Sequence, residues 1–333
     1  MDDLPARVLA GDRRALARAI SCVEAGGAPA RSLVAALYPR GGRAHVIGVT
    51  GAPGAGKSSL VNGLAKAYRR RGQSVGIIAV DPTSPFSGGA ILGDRIRMNE
   101  LTGDPGIFIR SMASRGSLGG LAAATGDAVK LLDAAGYDKI FVETVGAGQT
   151  EVDIARTAHT TIVACVPGLG DDIQAIKAGI LEIADIFAVN QADREGADAI
   201  VMALEMMLEL SANGTSTPLH HGVLARVIGG APAPSLAWRP PICKTVATTG
   251  AGVAELLAEI ERHLTYLRAS GRLAERERLR AAAELENLLR QELLRQVIER
   301  THHADMTALV EQIAGRQIDV YAAADRLLES AGA

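Results

Sequence analysis

A glycine-rich segment at residues 51–58 has the residue types and spacing of a phosphate-binding loop. It reads Gly-x4-Gly-Lys-Ser, follows an apolar run at residues 46–50 and precedes a stretch of helical spacing. In such a loop the backbone N–H groups wrap phosphates, Lys57 reaches the β- and γ-phosphates, and the Ser58 hydroxyl ligates Mg²⁺. A purely structural turn would not need the Lys-Ser pair. The segment therefore predicts a nucleoside triphosphate site lined by Gly51, Ala52, Pro53, Gly54, Ala55, Gly56, Lys57, Ser58 and Ser59.

Three acidic residues stand at or soon after the ends of apolar runs. Asp81 follows residues 75–80, Asp94 lies in Leu-Gly-Asp-Arg, and Glu143 closes the run at 140–143. A carboxylate at the end of a strand beside a phosphate loop holds Mg²⁺ directly or through water. Each could by itself be a solvated surface residue, but next to a nucleotide site we predict that all three have metal-binding and catalytic roles. Gln149 could orient the attacking water or act as a switch residue.

The base-recognition signal is Asn190-Gln-Ala-Asp193, which is similar to the Asn-Lys-x-Asp guanine motif. The Asp193 carboxylate matches the N1–H and N2–H₂ donors of guanine, whereas adenine would leave it unpaired, which can give selectivity of about 10⁴-fold. Gln191 stands where the motif has a lysine that covers the base and ties it to the phosphate loop. Further on, the Ala247 backbone N–H is expected to bind guanine O6, although Val246 replaces the usual serine of that element.

Apolar runs that alternate with helical stretches must position these residues. Short continuous runs of this kind predict an α/β fold with a mostly parallel sheet covered on both faces. Seven runs are present, at residues 46–50, 75–80, 107–110, 140–143, 161–166, 186–190 and 242–247. Two helices are expected before the sheet, on either side of Gly26–Pro29. Beyond Gly252 the chain is expected to be helical, with a leucine stripe that suits either packing within the chain or dimerisation.

Length and composition narrow the function classes. For 333 residues we predict an N-terminal helical extension (1–42), a P-loop GTPase domain (43–265) and a C-terminal helical extension with a dimerisation role (266–333). A net charge of −2 and 3% aromatic residues argue against nucleic-acid binding. The three cysteines favour neither disulfides nor a zinc site. With no signal peptide or membrane span expected, the prediction is a cytoplasmic protein.

Six motifs in order resemble one family, the MeaB/ArgK GTPases, which are G-protein chaperones of adenosylcobalamin-dependent acyl-CoA mutases and include the human methylmalonic aciduria type A protein. Besides the phosphate loop, the resemblance rests on Val80–Pro82, Gly88–Arg95, Arg115–Gly120, Glu143–Gln149 and Gly170–Gly179.

The resemblance implies a homodimeric, Mg²⁺-dependent GTPase that cycles between GTP and GDP, hydrolyses slowly alone and is stimulated by its mutase. It matches Ser58, Asp81, Asp94 and Glu143 to Mg²⁺ and its surroundings, and assigns switch I to residues 81–94 and switch II to 143–153. It also implies a third switch at 170–179, where Asp171, Gln174 and Lys177 match the pattern. From the residues alone, that segment is equally a capped helix start. Cobalamin is expected to be held by the partner.

Three alternatives remain at this stage. A metallochaperone GTPase would need exposed Cys or His ligands, whereas the pairs His220-His221 and His302-His303 have no cysteine nearby. An ATP-dependent small-molecule kinase would use the same loop but does not suit Asp193. A non-enzymatic scaffold could use the C-terminal helices alone.

Overall fold

The computed structural model describes residues 3–82, 101, 103–114, 120–144, 154, 157–168, 183–213, 238–301 and 303–331. Within them, seven strands form one sheet in the order β3-β2-β4-β1-β5-β6-β7, and every adjacent pair is parallel. All seven predicted strands are present. Their bounds are β1 His45–Gly51, β2 Val75–Pro82, β3 Ile107–Ser114, β4 Lys139–Thr144, β5 Thr160–Cys165, β6 Ile186–Asn190 and β7 Ile242–Thr245.

Three helices, rather than the two predicted, precede the sheet: α1 Leu4–Leu9, α2 Arg13–Ala25 and α3 Gly27–Leu37. Asp12 separates the first two because its side chain accepts hydrogen bonds from Arg14 N and Ala15 N and so caps α2. The break between α2 and α3 is shorter than the predicted segment Gly26–Pro29, because α2 ends at Ala25 and α3 begins at Gly27. Gly26 and Gly27 turn the chain, with φ of 74° and 80°, and Pro29 fits in the first turn of α3.

Helices cover both faces of the sheet, which explains why its strands read as continuous apolar runs. Alternate residues point to opposite faces: Val46 packs with α1–α3 and with α5 (Gly120–Ala134). Its neighbour Ile47 packs against α4 (Lys57–Arg70) and α7 (Val253–Ala269). The helix α6 (Ala197–Asn213) covers β5 to β7. The central strand β1 is therefore buried along its whole length, and it delivers the glycine-rich loop from a fixed position.

The chain after Gly252 is helical, as predicted, with α8 Arg272–Arg300, α9 His303–Ala314 and α10 Val320–Ala331 following α7. The chain divides into two compact units at a boundary within α8, after Glu277. The first unit contains the whole sheet, and the second contains the rest of α8 with α9 and α10. The predicted divisions at residues 42 and 265 stay predictions. Among the described residues, none of the helices is long and apolar enough to span a membrane.

Buried charges and histidines tie α7 and the start of α8 to the amino ends of the strands. Asp185, just before β6, accepts two hydrogen bonds from the Arg276 guanidinium at 2.7 and 3.0 Å. Burial by itself raises the pKa of the Asp185 carboxyl, but the charge of Arg276 and hydrogen bonds from His263 and Arg276 outweigh it, so this pKa lies below the usual range. The pair is thus kept ionised at the edge of the core.

A chain of hydrogen bonds continues from this pair into the sheet. The Thr160 hydroxyl lies 2.9 Å from His263 Nδ1 and 2.8 Å from His45 Nε2, and His263 Nε2 faces Asp185 at 3.3 Å. Because the ionised Asp185 only accepts, we infer that His263 carries a hydrogen on Nε2. In that tautomer His263 Nδ1 accepts from the Thr160 hydroxyl, which in turn accepts from His45 Nε2. Burial, then the positive charge of Lys139, holds the pKa of His45 well below its usual range.

Candidate phosphate- and base-binding site

Three glycines with positive φ, Gly51, Gly54 and Gly56, shape the loop at the end of β1, and two of them also leave no room for a side chain. Gly51 has φ 135°, and a Cβ there would lie 2.1 Å from the Ala164 carbonyl oxygen on the neighbouring strand. Gly56 has φ 76°, and a Cβ there would lie 2.4 Å from Asn190 Nδ2. Any side chain at either position would therefore clash as well as strain the backbone. The helix α4 starts directly after Gly56, so its N-terminal N–H groups point at the loop, as an anion site requires.

The Lys57 side chain folds back over this loop. Its Nζ donates to the carbonyl oxygens of Gly51 at 2.8 Å and Ala52 at 2.9 Å, and the residue is only 6% exposed. The ammonium group therefore lies at the mouth of the loop with its charge balanced by backbone dipoles. An incoming phosphate would meet a positive charge that the fold has already positioned.

Ser58 and Glu143 meet across the end of the sheet. Ser58, in the first turn of α4, donates from Oγ to Glu143 Oε1 at 2.5 Å. Glu143 lies on β4 opposite Val49 of β1, so strand register fixes its distance from the loop. The backbone of Asp81 lies near the carboxyl end of β2, two residues beyond Ala79, which is itself opposite Glu143. The structure thus brings a hydroxyl and a carboxylate together and places Asp81 at the same edge.

Asn190 connects the phosphate loop to both base-side segments. Its Nδ2 donates to Ala55 O at 2.9 Å, while its Oδ1 accepts from Thr245 Oγ1 at 3.2 Å and from Ala247 N at 3.1 Å. The residue is 2% exposed, so these contacts form away from water, where leaving them unmade would be costly. Sequence reasoning missed Thr245 as a site residue. The sequence did contain a signal for it: Val246 replaces the serine of the motif, and Thr245, which also carries a hydroxyl, directly precedes it.

Gln191 and Asp193 follow on the same loop. Gln191 Nε2 lies 3.3 Å from Gly54 O, and the Arg194 N–H donates to Gln191 O at 3.0 Å. The Ala192 N–H donates to Thr245 O, which fixes the loop against β7. Asp193 is exposed at the end of this turn. Its carboxylate is therefore open to a ligand on the side of the site where a base would extend from phosphates in the loop.

Several predicted residues lie outside the described part of the chain. These are Asp94, Gln149 and the three residues of the proposed third switch, Asp171, Gln174 and Lys177. Ser59 is described and is exposed on the first turn of α4. Among the described residues, no group of three or more His, Cys, Asp or Glu side chains could hold a metal ion. Within that part of the chain, Ser58 and Glu143 are the oxygen donors that meet beside the loop.

The whole chain is similar to known proteins. Residues 16–302 match the family model of the methylmalonyl-CoA mutase-associated GTPase MeaB. A Pyrococcus horikoshii protein named as a GTPase is 48% identical over 329 residues, covering 99% of this chain and 98% of that protein. The mitochondrial methylmalonic aciduria type A homolog of Mus musculus is 32% identical over 308 residues, covering 88% and 70%.

A solved structure gives the same picture of the fold. The crystal structure of LAO/AO transport system kinase superposes with a TM-score of 0.71 at 24% identity, covering 98% of this chain and 96% of that chain. At this identity the likeness shows the fold alone.

Proposed function

Because this chain belongs to the MeaB family of methylmalonyl-CoA mutase-associated GTPases, we propose that it hydrolyses GTP and acts as a G-protein chaperone of an adenosylcobalamin-dependent acyl-CoA mutase. The observation that carries the proposal is the position of Asn190. Its hydrogen bonds join a phosphate loop to the segments that hold Asp193 and Ala247. A site for phosphates alone would not need this connection, whereas a site that reads a base and phosphates together does.

In the proposed reaction, a water oxygen attacks the γ-phosphorus of GTP, and the bond to the oxygen bridging the β- and γ-phosphates breaks, giving GDP and phosphate. The protein contributes chiefly position and charge. Lys57 and the backbone N–H groups of the loop would stabilise the charge on the phosphate oxygens. Asp193 would accept hydrogen bonds from guanine, and the Ala247 N–H, once released by Asn190 or shared with it, would reach O6.

The donor set suits Mg²⁺, which prefers oxygen ligands and retains waters. The Ser58 hydroxyl and the Glu143 carboxylate already meet at 2.5 Å beside the loop, and their atoms are all oxygen. When bound, the ion would neutralise phosphate charge. We propose Asp81 and Asp94 as further oxygen ligands, direct or through water, and Gln149 as the residue that orients water or senses the γ-phosphate.

The proposed output is conformational. A γ-phosphate would order the two switches at residues 81–94 and 143–153, and hydrolysis would release them. This change would pass to the bound mutase through Asp171, Gln174 and Lys177. In this way the GTPase would gate the loading of cofactor into the mutase and protect it. The family name supports this partner, since it describes a methylmalonyl-CoA mutase-associated GTPase.

We also propose that the C-terminal extension, residues 266–333, makes the protein a homodimer. The helix α8 carries six large apolar side chains that are 46–61% exposed: Leu285, Leu288, Leu289, Leu293, Leu294 and Ile298. A patch of this kind on a soluble protein typically marks an interface. In light scattering, wild type should have twice the mass of the chain, and Leu289→Glu with Leu293→Glu should be monomeric. A wild-type monomer would refute the dimer.

Nucleotide binding and mutase stimulation test the main proposal. GDP and GTP should bind more tightly than ADP and ATP, and hydrolysis should require Mg²⁺ and rise when a cognate mutase is added. Tighter binding of ADP than GDP would favour a kinase instead. Failure to form a complex with any candidate cobalamin mutase, in any nucleotide state, would overturn the chaperone role while leaving the GTPase intact.

A further inference from the structure

The outer face of α6 carries a row of large apolar side chains. Met202, Met206 and Leu210 are 59%, 64% and 71% exposed. Each follows the one before by four residues, so the three lie side by side along one face of the helix. Single exposed apolar side chains are ordinary on a soluble protein, whereas a contiguous apolar patch marks a surface that contacts another molecule. We call these three residues the methionine stripe.

The opposite face of α6 accounts for the attachment of the helix to the sheet. Ile200 and Leu204 are 7% and 0% exposed, and they pack in one apolar cluster with Phe187 of β6. Because successive residues of a helix are rotated by about 100°, Leu204 lies nearly opposite Met206. The methionine stripe is therefore not required to hold α6 in place, and its side chains can be replaced without opening the core.

A row of acidic residues runs along one side of the methionine stripe. The helix contains Asp198, Glu205 and Glu209 but no lysine or arginine. Helical geometry puts all three on the same side of the stripe, within about 100° of it. Asp198 pairs with Lys244, and Glu209 lies 4.0 Å from Arg239, whereas Glu205 is exposed and has no ion pair among the described residues. The negative charge of this row is thus only partly compensated within the described part of the chain.

The apolar row and the acidic row together define the chemistry of a partner. An amphipathic helix that lays its apolar side chains on the methionine stripe would bring its flanking residues beside the acidic row, where lysine and arginine are favoured and glutamate is repelled. Methionine suits such a contact because its side chain is flexible and polarisable and adapts to different apolar surfaces. The stripe extends over about 12 Å of helix, which accommodates about two turns of a partner helix. Its acidic row disfavours an anionic lipid surface.

We propose that the methionine stripe docks a basic amphipathic helix of a partner protein. The apolar row of the partner would cover Met202, Met206 and Leu210, and its cations would pair with Glu205 first, because this carboxylate has no ion pair to give up among the described residues. The surface goes beyond the proposed function, because none of its residues belongs to the phosphate or base site.

Fluorescence anisotropy of a labelled synthetic peptide tests the proposal on the full-length protein. The probe has about 18 residues, long enough to form a helix on contact, with leucines on one face and lysines on the other. The protein should bind this probe at least about tenfold more tightly than a scrambled peptide of the same composition. It should show the same preference over a peptide with glutamates in place of the lysines, because glutamate is repelled by the acidic row.

Two sets of substitutions locate the contact. Met202→Gln with Met206→Gln keeps the length of the side chains but removes their apolar surface, and should weaken binding of the probe about tenfold. Glu205→Lys should weaken it about fivefold and improve binding of the glutamate peptide, because it reverses a charge beside the stripe. Leu9→Gln, which changes an exposed apolar residue on α1, is the matched control and should bind the probe as wild type does.

Each outcome decides a part of the proposal. Equal binding of the probe and the scrambled peptide would overturn it, as would unchanged affinity in the double methionine variant at an unchanged melting temperature. If that variant lost affinity while Glu205→Lys did not, the stripe would be an apolar contact without charge preference, and the basic partner would be wrong. Tighter binding to phosphatidylcholine vesicles than to the probe would assign the stripe to a lipid surface instead.

Discussion

The two edges of the same parallel sheet differ in what their polar groups do. At the carboxyl edge, side chains such as Lys57 and Asn190 bond to loop carbonyls. At the amino edge, Asp185 and Arg276 form a bidentate ion pair within the fold. The first edge fixes the loop that we propose binds phosphates, and the second satisfies its charges with each other. We conclude that nucleotide binding and stability of the fold are largely separated along the length of the strands.

The largest expected effect comes from Lys57→Ala at the carboxyl edge. Removing one positioned donor of a phosphoryl-transfer site should lower the rate of GTP hydrolysis by about 10²–10³-fold. The free energy of unfolding should fall by only about 1–3 kcal/mol, because the change removes the donor to the Gly51 and Ala52 carbonyls and leaves the apolar core intact. Hydrolysis assays paired with thermal unfolding check both parts. Arg70→Ala, exposed at the other end of α4, is the control, and retained hydrolysis in Lys57→Ala would relocate the site.

Arg276→Ala should have the opposite effect: it should lower stability and leave nucleotide binding nearly unchanged. Among the described residues, it leaves the Asp185 carboxylate, whose side chain is 9% exposed, facing His263 and the Thr161 N–H. Losing one partner of such a pair should lower the free energy of unfolding by about 3 kcal/mol. Urea unfolding measures this, while GDP affinity of the folded variant should stay within twofold of wild type.

Arg278→Ala provides the control, because this neighbouring arginine on α8 is exposed. If Arg276→Ala were as stable as Arg278→Ala, the amino edge would not be the stabilising one. If Arg276→Ala lowered the free energy of GDP binding as much as the free energy of unfolding, the two edges would be coupled. Binding and stability would then not be separated along the strands.

The carboxyl edge was far more predictable from the sequence than the amino edge. The phosphate loop and the strands are local signals, since spacing and apolar runs within ten residues determine them. The pairing of Asp185 with Arg276 and of Thr160 with His263 joins residues about 90 to 100 positions apart. Nothing in the local pattern around any of these residues marks it as a partner. For the same reason Asn190 was recognised as a motif residue, whereas its contact with Thr245 was not.

A smaller effect is expected from the pH dependence of stability at the amino edge. The folded-state pKa of His45 lies well below its usual value of about 6.5. Below about pH 6.5, the unfolded chain therefore binds a proton at His45 that the folded chain does not bind. The stability of the fold thus falls as the pH falls. The slope is at most about 1.4 kcal/mol per pH unit for one such group.

His45→Gln removes this titration and keeps an amide that can donate to Thr160. Urea unfolding between pH 7 and 5 should show a shallower loss of stability than wild type. The groups that face His45 are His159, His263, Lys139 and Arg268, and they remain in the variant. An unchanged slope would mean that another of these groups, rather than His45, controls the acid sensitivity.

The smallest effect is expected from a substitution at the carboxyl edge, Thr245→Val. It tests whether this edge contributes to nucleotide binding without contributing to the stability of the fold. Thr245→Val keeps the shape of a side chain that is 1% exposed and removes only the hydroxyl that donates to Asn190 Oδ1. Asn190 keeps its bond from the Ala247 N–H but is held less firmly, so GDP affinity should fall about threefold, within the range of one neutral hydrogen bond. Calorimetric titration measures the affinity, with Thr249→Val, exposed on the following turn, as control. A loss of stability above about 1.5 kcal/mol with unchanged GDP affinity would show that this contact belongs to the fold rather than to the site.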